Sequence, residues 1–287
     1  MSRIGGSFSR SWRLISASWS VVRAEPSLMV YPTLAIPVTL LLLALMVLGM
    51  GTAVGWSDAE PSTPRLIAGI AVVAIGFLAM SFVTVFFNTA LAAAALMRLR
   101  GEDPTLGDGF RVARSRLRQI AGYSVISAVV GAILSKLQDS GLFGTIAAAL
   151  GGLAWGLATA LVMPVLAAEG LGPVDAIRRS SGLLKRSFGE QVAGGVTIGA
   201  ILGVPMLIVG LIGGLLVWLG SSTGSDAATA VGIGILVAGF GILVLLGLTV
   251  FAALQQVFYA AVYEWAADNR TSPYFTDDQL RAAFVAK

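Results

Sequence analysis

The chain has 287 residues, of which 56% are hydrophobic, 12% are charged and 35 are glycine, with a formal charge of +4. A typical soluble domain is about a quarter charged, so this balance excludes an ordinary water-soluble domain, a disordered chain and a nucleic-acid-binding module. At a mean hydropathy of +0.87 the chain reads as an all-α, polytopic membrane protein whose helices satisfy their own backbone groups in lipid.

The first predicted element is amphipathic. Phe8, Trp12, Ile15, Trp19 and Val22 recur at helical spacing, Arg10, Arg13 and Arg23 lie mainly off that stripe, and Pro26 marks a break. Residues 1–27 are expected as a cytoplasmic or interfacial helix, 28–263 as a six-span membrane domain, and 264–287 as a cytoplasmic tail. The spans are placed at Leu28–Met50, Leu66–Met97, Gln119–Ser135, Leu142–Ala168, Gln191–Leu219 and Ala230–Tyr263. Each is near or beyond the roughly 17–25 residues that cross a hydrocarbon core. The first run is too long for a signal-peptide core and reads as a span. The third is short and holds Gly122 and Gly131, so a broken or interfacial form competes with a full crossing.

Two connections, 98–118 and 169–190, carry further amphipathic segments. In the first, Leu106, Phe110, Ala113, Leu117 and Ile120 share a face, Arg111, Arg114 and Arg118 occupy another, and Thr105 with Asp108 offers a capping box. In the second, Val174, Ile177, Leu184 and Phe188 form a looser apolar face beside Arg178, Arg179, Lys185 and Arg186. In the tail, Thr276 and Gln279 match a capping box, and Leu280 and Phe284 are four residues apart. The plain expectation lays these helices in the membrane interface, arginines among the headgroups. The sharper alternative packs them into a collar beneath the spans. An amphipathic element followed by a helical hairpin recurs loosely three times along the chain.

Six crossings put seventeen of the nineteen Lys and Arg residues on one side, leaving only Arg65 and Lys136 on the other. That asymmetry places both termini in the cytoplasm. It also makes Arg111, Arg114, Arg118, Arg178, Arg179, Lys185 and Arg186 the expected contacts for anionic lipid headgroups.

The inventory of reactive groups is thin. There is no cysteine and no histidine, which removes disulfides, thiolate chemistry and histidine-based metal or nucleophilic sites. No Asp, Glu, Lys or Arg lies inside any expected span, which counts against a proton-coupled carrier. Asn88, Gln255 and Gln256 are the polar candidates for a pore lining or a helix contact, interhelical bonding being the plainer role for Asn88. Gly195, Gly199 and Gly203, at four-residue spacing, are expected to admit a neighbouring helix, and Gly210 with Gly214 supplies a second such pair. Tyr259, Tyr263 and Trp265 suit an interface anchor better than a ligand cage. Glu102, Asp103, Asp108, Glu169 and Asp175 are expected to pair with nearby arginines. No phosphate loop, dinucleotide fingerprint or metal motif is present, so no catalytic residue, cofactor or metal is expected and the chain is not read as an enzyme.

Three stretches carry a resemblance: Ser11–Pro26 (SWRLISASWSVVRAEP), Phe86–Asp108 (FFNTALAAAALMRLRGEDPTLGD) and Pro164–Gly189 (PVLAAEGLGPVDAIRRSSGLLKRSFG). The chain resembles an uncharacterised family of bacterial multi-span membrane proteins, DUF6159. The last stretch is also more weakly similar to membrane-anchor domains of some glycerophosphodiesterases, without room here for their catalytic domain. The closer resemblance implies a bacterial inner (plasma) membrane location and transfers no catalytic residue. A homo-oligomeric channel or transport assembly is the first functional expectation. A scaffold or regulator organising lipids or partner proteins is the second, and an interfacial lipid-modifying enzyme the third.

Overall fold

Long apolar runs fold as helices, and no strand occurs among the residues that the computed structural model describes, which are 16–55, 62–188, 211–212, 214–222, 226–270 and 272–275. A helix over 16–24 (α1) gives way to a 3-10 turn at Pro26–Met29, where the proline removes a backbone donor and stops the preceding helix. Two long apolar helices follow, α2 (Val30–Val54) and α3 (Thr63–Leu99). Gly69 lies by Val54, Gly49 by Val72 and Gly76 by Met46, a register that makes the pair antiparallel.

A second amphipathic helix, α4 (Leu106–Ser115), leads through Arg116 into α5 (Leu117–Gln138). The Thr105–Asp108 capping box is formed, with the Thr105 N–H donating to Asp108 Oδ2 at 2.9 Å. The segment read as weakest, Gln119–Ser135, is one unbroken helix of 22 residues once its flanks are included. Leu137 meets Gly144 and Leu134 meets Gly151, so α6 (Gly141–Thr159) returns antiparallel to it. The fourth expected span, Leu142–Ala168, lies within the apolar stretch Gly141–Ala168 and is interrupted where Pro164 cannot donate to the Ala160 carbonyl. α7 (Val162–Ala168) restarts after Ala160 and Leu161, and the freed Leu161 N–H donates to the buried Ser180 Oγ at 3.1 Å. Ser180 belongs to the third amphipathic helix, α8 (Pro173–Phe188).

The chain divides into two units, Met1–Ala193 with Leu254–Lys287, and Gly194–Ala253. In the second, a helical segment over 214–222 (α9) precedes α10 (Asp226–Gly234). A Cβ on Gly232 would stand 2.6 Å from the Val217 backbone nitrogen, so only glycine allows that approach. Gly214 faces open space, and Gly195, Gly199, Gly203 and Gly210 lie outside the described residues. A π-turn at Ile235–Gly239 leads into α11 (Phe240–Asp268), the last long helix.

Five stretches are long and apolar enough to cross a membrane: Pro26–Val54, Thr63–Leu99, Leu117–Gln138, Gly141–Ala168 and Leu245–Asp268. Their outward faces are oily; Leu40, Leu41, Ile70, Phe77, Phe143 and Leu153 are all exposed. Such a surface is tolerable in lipid and not in water, and the protein is an integral membrane protein. The expected fifth span, Gln191–Leu219, falls mostly outside the described residues, which take in only 211–212 and 214–219 of it.

Within the first unit α3 is the axis. It packs on α2, α4, α5 and α7, and its buried run Ala90–Ala95, five alanines and Leu91, lets those backbones come close. Four of the described helices end on a residue with positive φ: α2 at Gly55 (+99°), α3 at Gly101 (+87°), α7 at Gly170 (+62°) and α11 at Asn269 (+53°). After α3 the bonds Gly101 N–H to Arg98 O and Glu102 N–H to Met97 O form a Schellman closure. The order of amphipathic helix then hairpin is present at 16–99 and again from Leu106 to Ala168.

Candidate functional site

The antiparallel hairpins bring the C-terminal ends of α3, α7 and α11 together with the N-terminal end of α5. Each of those three C-terminal ends exposes backbone carbonyls and a partial negative charge, a setting that attracts cations. Arginines meet it. Arg100, just past α3, donates from Nε (2.9 Å) and Nη2 (2.6 Å) to Glu264 Oε1 on α11. The hydrogen bond to Glu264 raises the pKa of Arg100 above its ordinary value, against the opposing effect of burial. Beside it, Glu169 at the end of α7 accepts Arg179 Nε at 2.9 and 3.2 Å and the Tyr263 hydroxyl at 2.9 Å. One polar layer thus ties α3, α7, α8 and α11.

Two further arginines border this layer. Arg98 pairs with Asp103 and bonds Tyr274, while Phe275 is buried. Arg116 fills the space where Gly170 lacks a side chain: a Cβ there would stand 2.7 Å from Nε and closer still to Cζ. Gln119 Nε2 donates to the Gly170 carbonyl at 3.3 Å.

The amphipathic helices dock on the protein. On α4, Gly109 and Ala113 are buried, and Phe110 enters a ring cluster with Tyr31 (5.0 Å), Phe87 (5.7 Å) and Phe86 (6.1 Å). Tyr31 also donates to the Leu106 carbonyl at 3.0 Å. On α8 the buried face is Ala176, Ser180, Leu183 and Leu184, and the expected Val174 is exposed. On α1 it is Ala17, Ser18, Val21 and Val22, with the expected Trp19 turned outward at 41% exposure. Small residues seat these helices closely, which an alternation of large side chains does not reveal. Helices α1, α4 and α8 thus dock on the protein, with Arg111, Arg114 and Arg178 exposed and Arg179 turned inward.

The expected site residues separate accordingly. Arg111 and Arg178 are exposed and pair with Asp108 (2.8 Å) and Asp175 (3.6 Å) on their own helices. Arg114, Arg118 and Lys185 are exposed and make no ion pair with a described residue, and the Arg186 side chain lies outside the described ones. Arg179 turns inward to Glu169. Asn88 is half-buried without a side-chain bond to a described residue; its neighbour Thr89 instead faces Met163 Sδ of α7 at 3.6 Å. Gln255 bonds Tyr259 within its own helix at 3.1 Å, and the buried Gln256 Oε1 has no partner among the described residues. The tail residues Thr276, Gln279, Leu280 and Phe284 fall outside the described set.

Sequence reasoning missed Glu264, Arg116 and the inward role of Tyr263. The last helix runs to Asp268, so Glu264 is a buried carboxylate inside it and not the first residue of a tail. The signal was there: in YAAVYEWAA, Glu264 is the lone acid, at helical spacing from Val257, Ala260 and Ala261.

The model of a family of unknown function, DUF6159, matches residues 67–273. The chain belongs to that family. The match takes in every partner in the polar layer of this DUF6159 protein, from Arg100 to Glu264. No curated protein and no solved structure matches the chain, and the similarity to glycerophosphodiesterase anchor segments is not shown.

Proposed function

We propose that this DUF6159 protein is a non-catalytic scaffold of the bacterial plasma membrane, with both termini cytoplasmic, that gathers anionic lipid at its arginine-rich end. The division of its cations carries the reading. Arg100 and Arg179 are engaged by the inward carboxylates Glu264 and Glu169 and Arg98 by Asp103, whereas Arg114, Arg118 and Lys185 stand exposed with no described counter-ion. Uncompensated cations at the ends of apolar helices match anionic headgroups and mark the cytoplasmic side. Six crossings fit this layout, because α8 begins and α11 ends at the same polar layer.

The test is reconstitution into vesicles of mixed phosphatidylglycerol and phosphatidylcholine, followed by measurement of the lipid that stays with the protein on re-extraction. Enrichment of phosphatidylglycerol that falls when Arg114, Arg118 and Lys185 become Gln supports the reading, and equal retention of both lipids refutes it. Topology is checked separately. The chain has no cysteine, so a single Ser115→Cys reports sidedness, and labelling should require permeabilised cells.

A second reading, a homo-oligomeric channel or transport assembly, is favoured by Gln256 Oε1 and Asn88. These are polar groups without described partners on helices that suit a membrane, where such groups line water or meet another subunit. Solute or ion flux in the same vesicles, abolished by Asn88→Leu or Gln256→Leu, would establish it over the scaffold.

A further inference from the structure

Of the two arginines that border the polar layer, Arg98 pairs with Asp103, whereas Arg116 meets no carboxylate among the described residues. Arg116 stands at the junction of α4 and α5, where φ −111° and ψ 17° interrupt the helical path. The guanidinium lies against the Gly170 backbone, and Gly170 is at φ +62° with no room for a Cβ. Its Nε is buried without a partner, and no hydrogen bond or ion pair joins the side chain to a described residue. A buried Nε–H lacking an acceptor is unfavourable, because it gives up water without regaining a hydrogen bond.

The neighbouring charges do not compensate it. Glu169 is the adjacent carboxylate, and both of its oxygens accept from Arg179, one of them also from Tyr263. Arg179 reaches Glu169 through Nε alone, so its terminal nitrogens make no bond to a described residue. Arg116, Arg179 and Glu169 together carry one net positive charge, which the partial negative charge at the end of α7 offsets only in part. We infer that Arg116, with the terminal nitrogens of Arg179, forms a binding site for a phosphate-bearing headgroup at the junction of α4, α5 and α7. Its level suits that ligand: the apolar stretches on either side start at Leu117 and stop at Ala168, so the guanidinium lies at the edge of both. A planar fork of N–H donors matches phosphate oxygens in pairs, which an ammonium does not.

The site rests on the anionic-lipid reading and sharpens it to one bound molecule. Native mass spectrometry of the full chain in dodecylmaltoside provides the test, with phosphatidylglycerol, phosphatidylcholine or inorganic phosphate added. The wild type should hold one phosphatidylglycerol under activation that strips phosphatidylcholine, and Arg116→Gln should weaken that retention about tenfold, as expected for losing a charge-assisted pair. Arg116→Lys keeps charge and stem, and should lose retention several-fold with an unchanged melting temperature. It decides the matter if the Gln variant fails to fold. Displacement of the lipid by millimolar inorganic phosphate would identify free phosphate as a competing source for the same site. Retention unchanged in both Arg116 variants overturns the site. If Arg114→Gln/Arg118→Gln then abolishes phosphatidylglycerol enrichment, the general reading survives alone. No preference for phosphatidylglycerol in the wild type overturns both.

Discussion

Separating Arg100 from Glu264 should cost unequal amounts depending on which partner is removed. Glu264 is 5% exposed and Arg100 is 36% exposed. Arg100→Gln leaves a carboxylate that cannot rehydrate, in the last turns of α11 where the helix dipole already disfavours negative charge. Breaking a buried pair in this way costs about 3 kcal/mol or more. Glu264→Gln leaves a guanidinium that can turn to water and still faces the carbonyl end of α3, so the cost falls to about 1–2 kcal/mol once its exposure is allowed for. The double variant carries no stranded charge and should lie near 2 kcal/mol, giving a coupling of roughly 2–3 kcal/mol. Equilibrium unfolding in mixed dodecylmaltoside–dodecylsulfate micelles, followed by tryptophan fluorescence, measures all four corners of the cycle. Additive losses, or a greater loss for Glu264→Gln than for Arg100→Gln, would show that the pair does not lock α3 to α11.

Three other outcomes follow from the same geometry. Gly109→Ala puts a Cβ 2.6 Å from the Ala90 carbonyl oxygen and against the Tyr31 hydroxyl. The strain of about 1–3 kcal/mol should exceed the gain in helix propensity and lower the melting temperature. Ser180→Ala strands the Leu161 N–H at the α6–α7 break; a loss of about 1–3 kcal/mol is expected, with faster amide exchange confined to 160–165. Asp108 has its pKa held below the ordinary 3.8 by hydrogen bonds from the Thr105 hydroxyl and backbone N–H, with Arg111 adding to the effect. A depressed carboxylate stabilises the fold above its unfolded pKa, and that stabilisation disappears as the pH falls through the lower folded value. The stability difference between wild type and Asp108→Asn should be level from neutral pH to about pH 4 and vanish below it; an unchanged difference at pH 2 would refute the capping role.

Much of this architecture was legible in the sequence because lipid imposes it. Apolar runs of sufficient length announce helices, and Thr105 with Asp108 and the turn at Pro26 were readable from local chemistry. The faces were less so. Trp19 and Val174 were expected inward on hydrophobicity, but what decides the docked face is how closely two backbones can approach, so Ala17, Ser18, Ala176 and Ser180 are buried instead. Pro164 announces a break near Ala160, but the bond that seats it was hidden because Ser180 lies nineteen residues beyond Leu161. The polar layer was hidden for the same reason. Glu169–Tyr263 and Arg100–Glu264 are separated by 94 and 164 residues, and nothing local distinguishes such a pair from two surface charges.

The convergence of three helix ends changes what arginine density means in this chain. A count of basic residues on one side treats them all as facing lipid. Yet α3, α7 and α11 each deliver a partial negative charge to one layer, and cations there stabilise the fold whether or not a membrane is near. Arg100 and Arg179 belong to that group; Arg114, Arg118 and Lys185 do not. The two groups should therefore dissociate under mutation. Neutralising Arg114, Arg118 and Lys185 should reduce phosphatidylglycerol enrichment while changing stability by no more than about 0.5 kcal/mol per site, as for exposed positions generally. Arg179→Gln should lower the melting temperature by leaving Glu169 with only the Tyr263 hydroxyl, and should weaken the single phosphatidylglycerol site at Arg116 while keeping the enrichment due to Arg114, Arg118 and Lys185. Enrichment that tracks total positive charge regardless of position would mean that headgroups sense only the overall field, and that this ordered layer has no part in choosing the lipid.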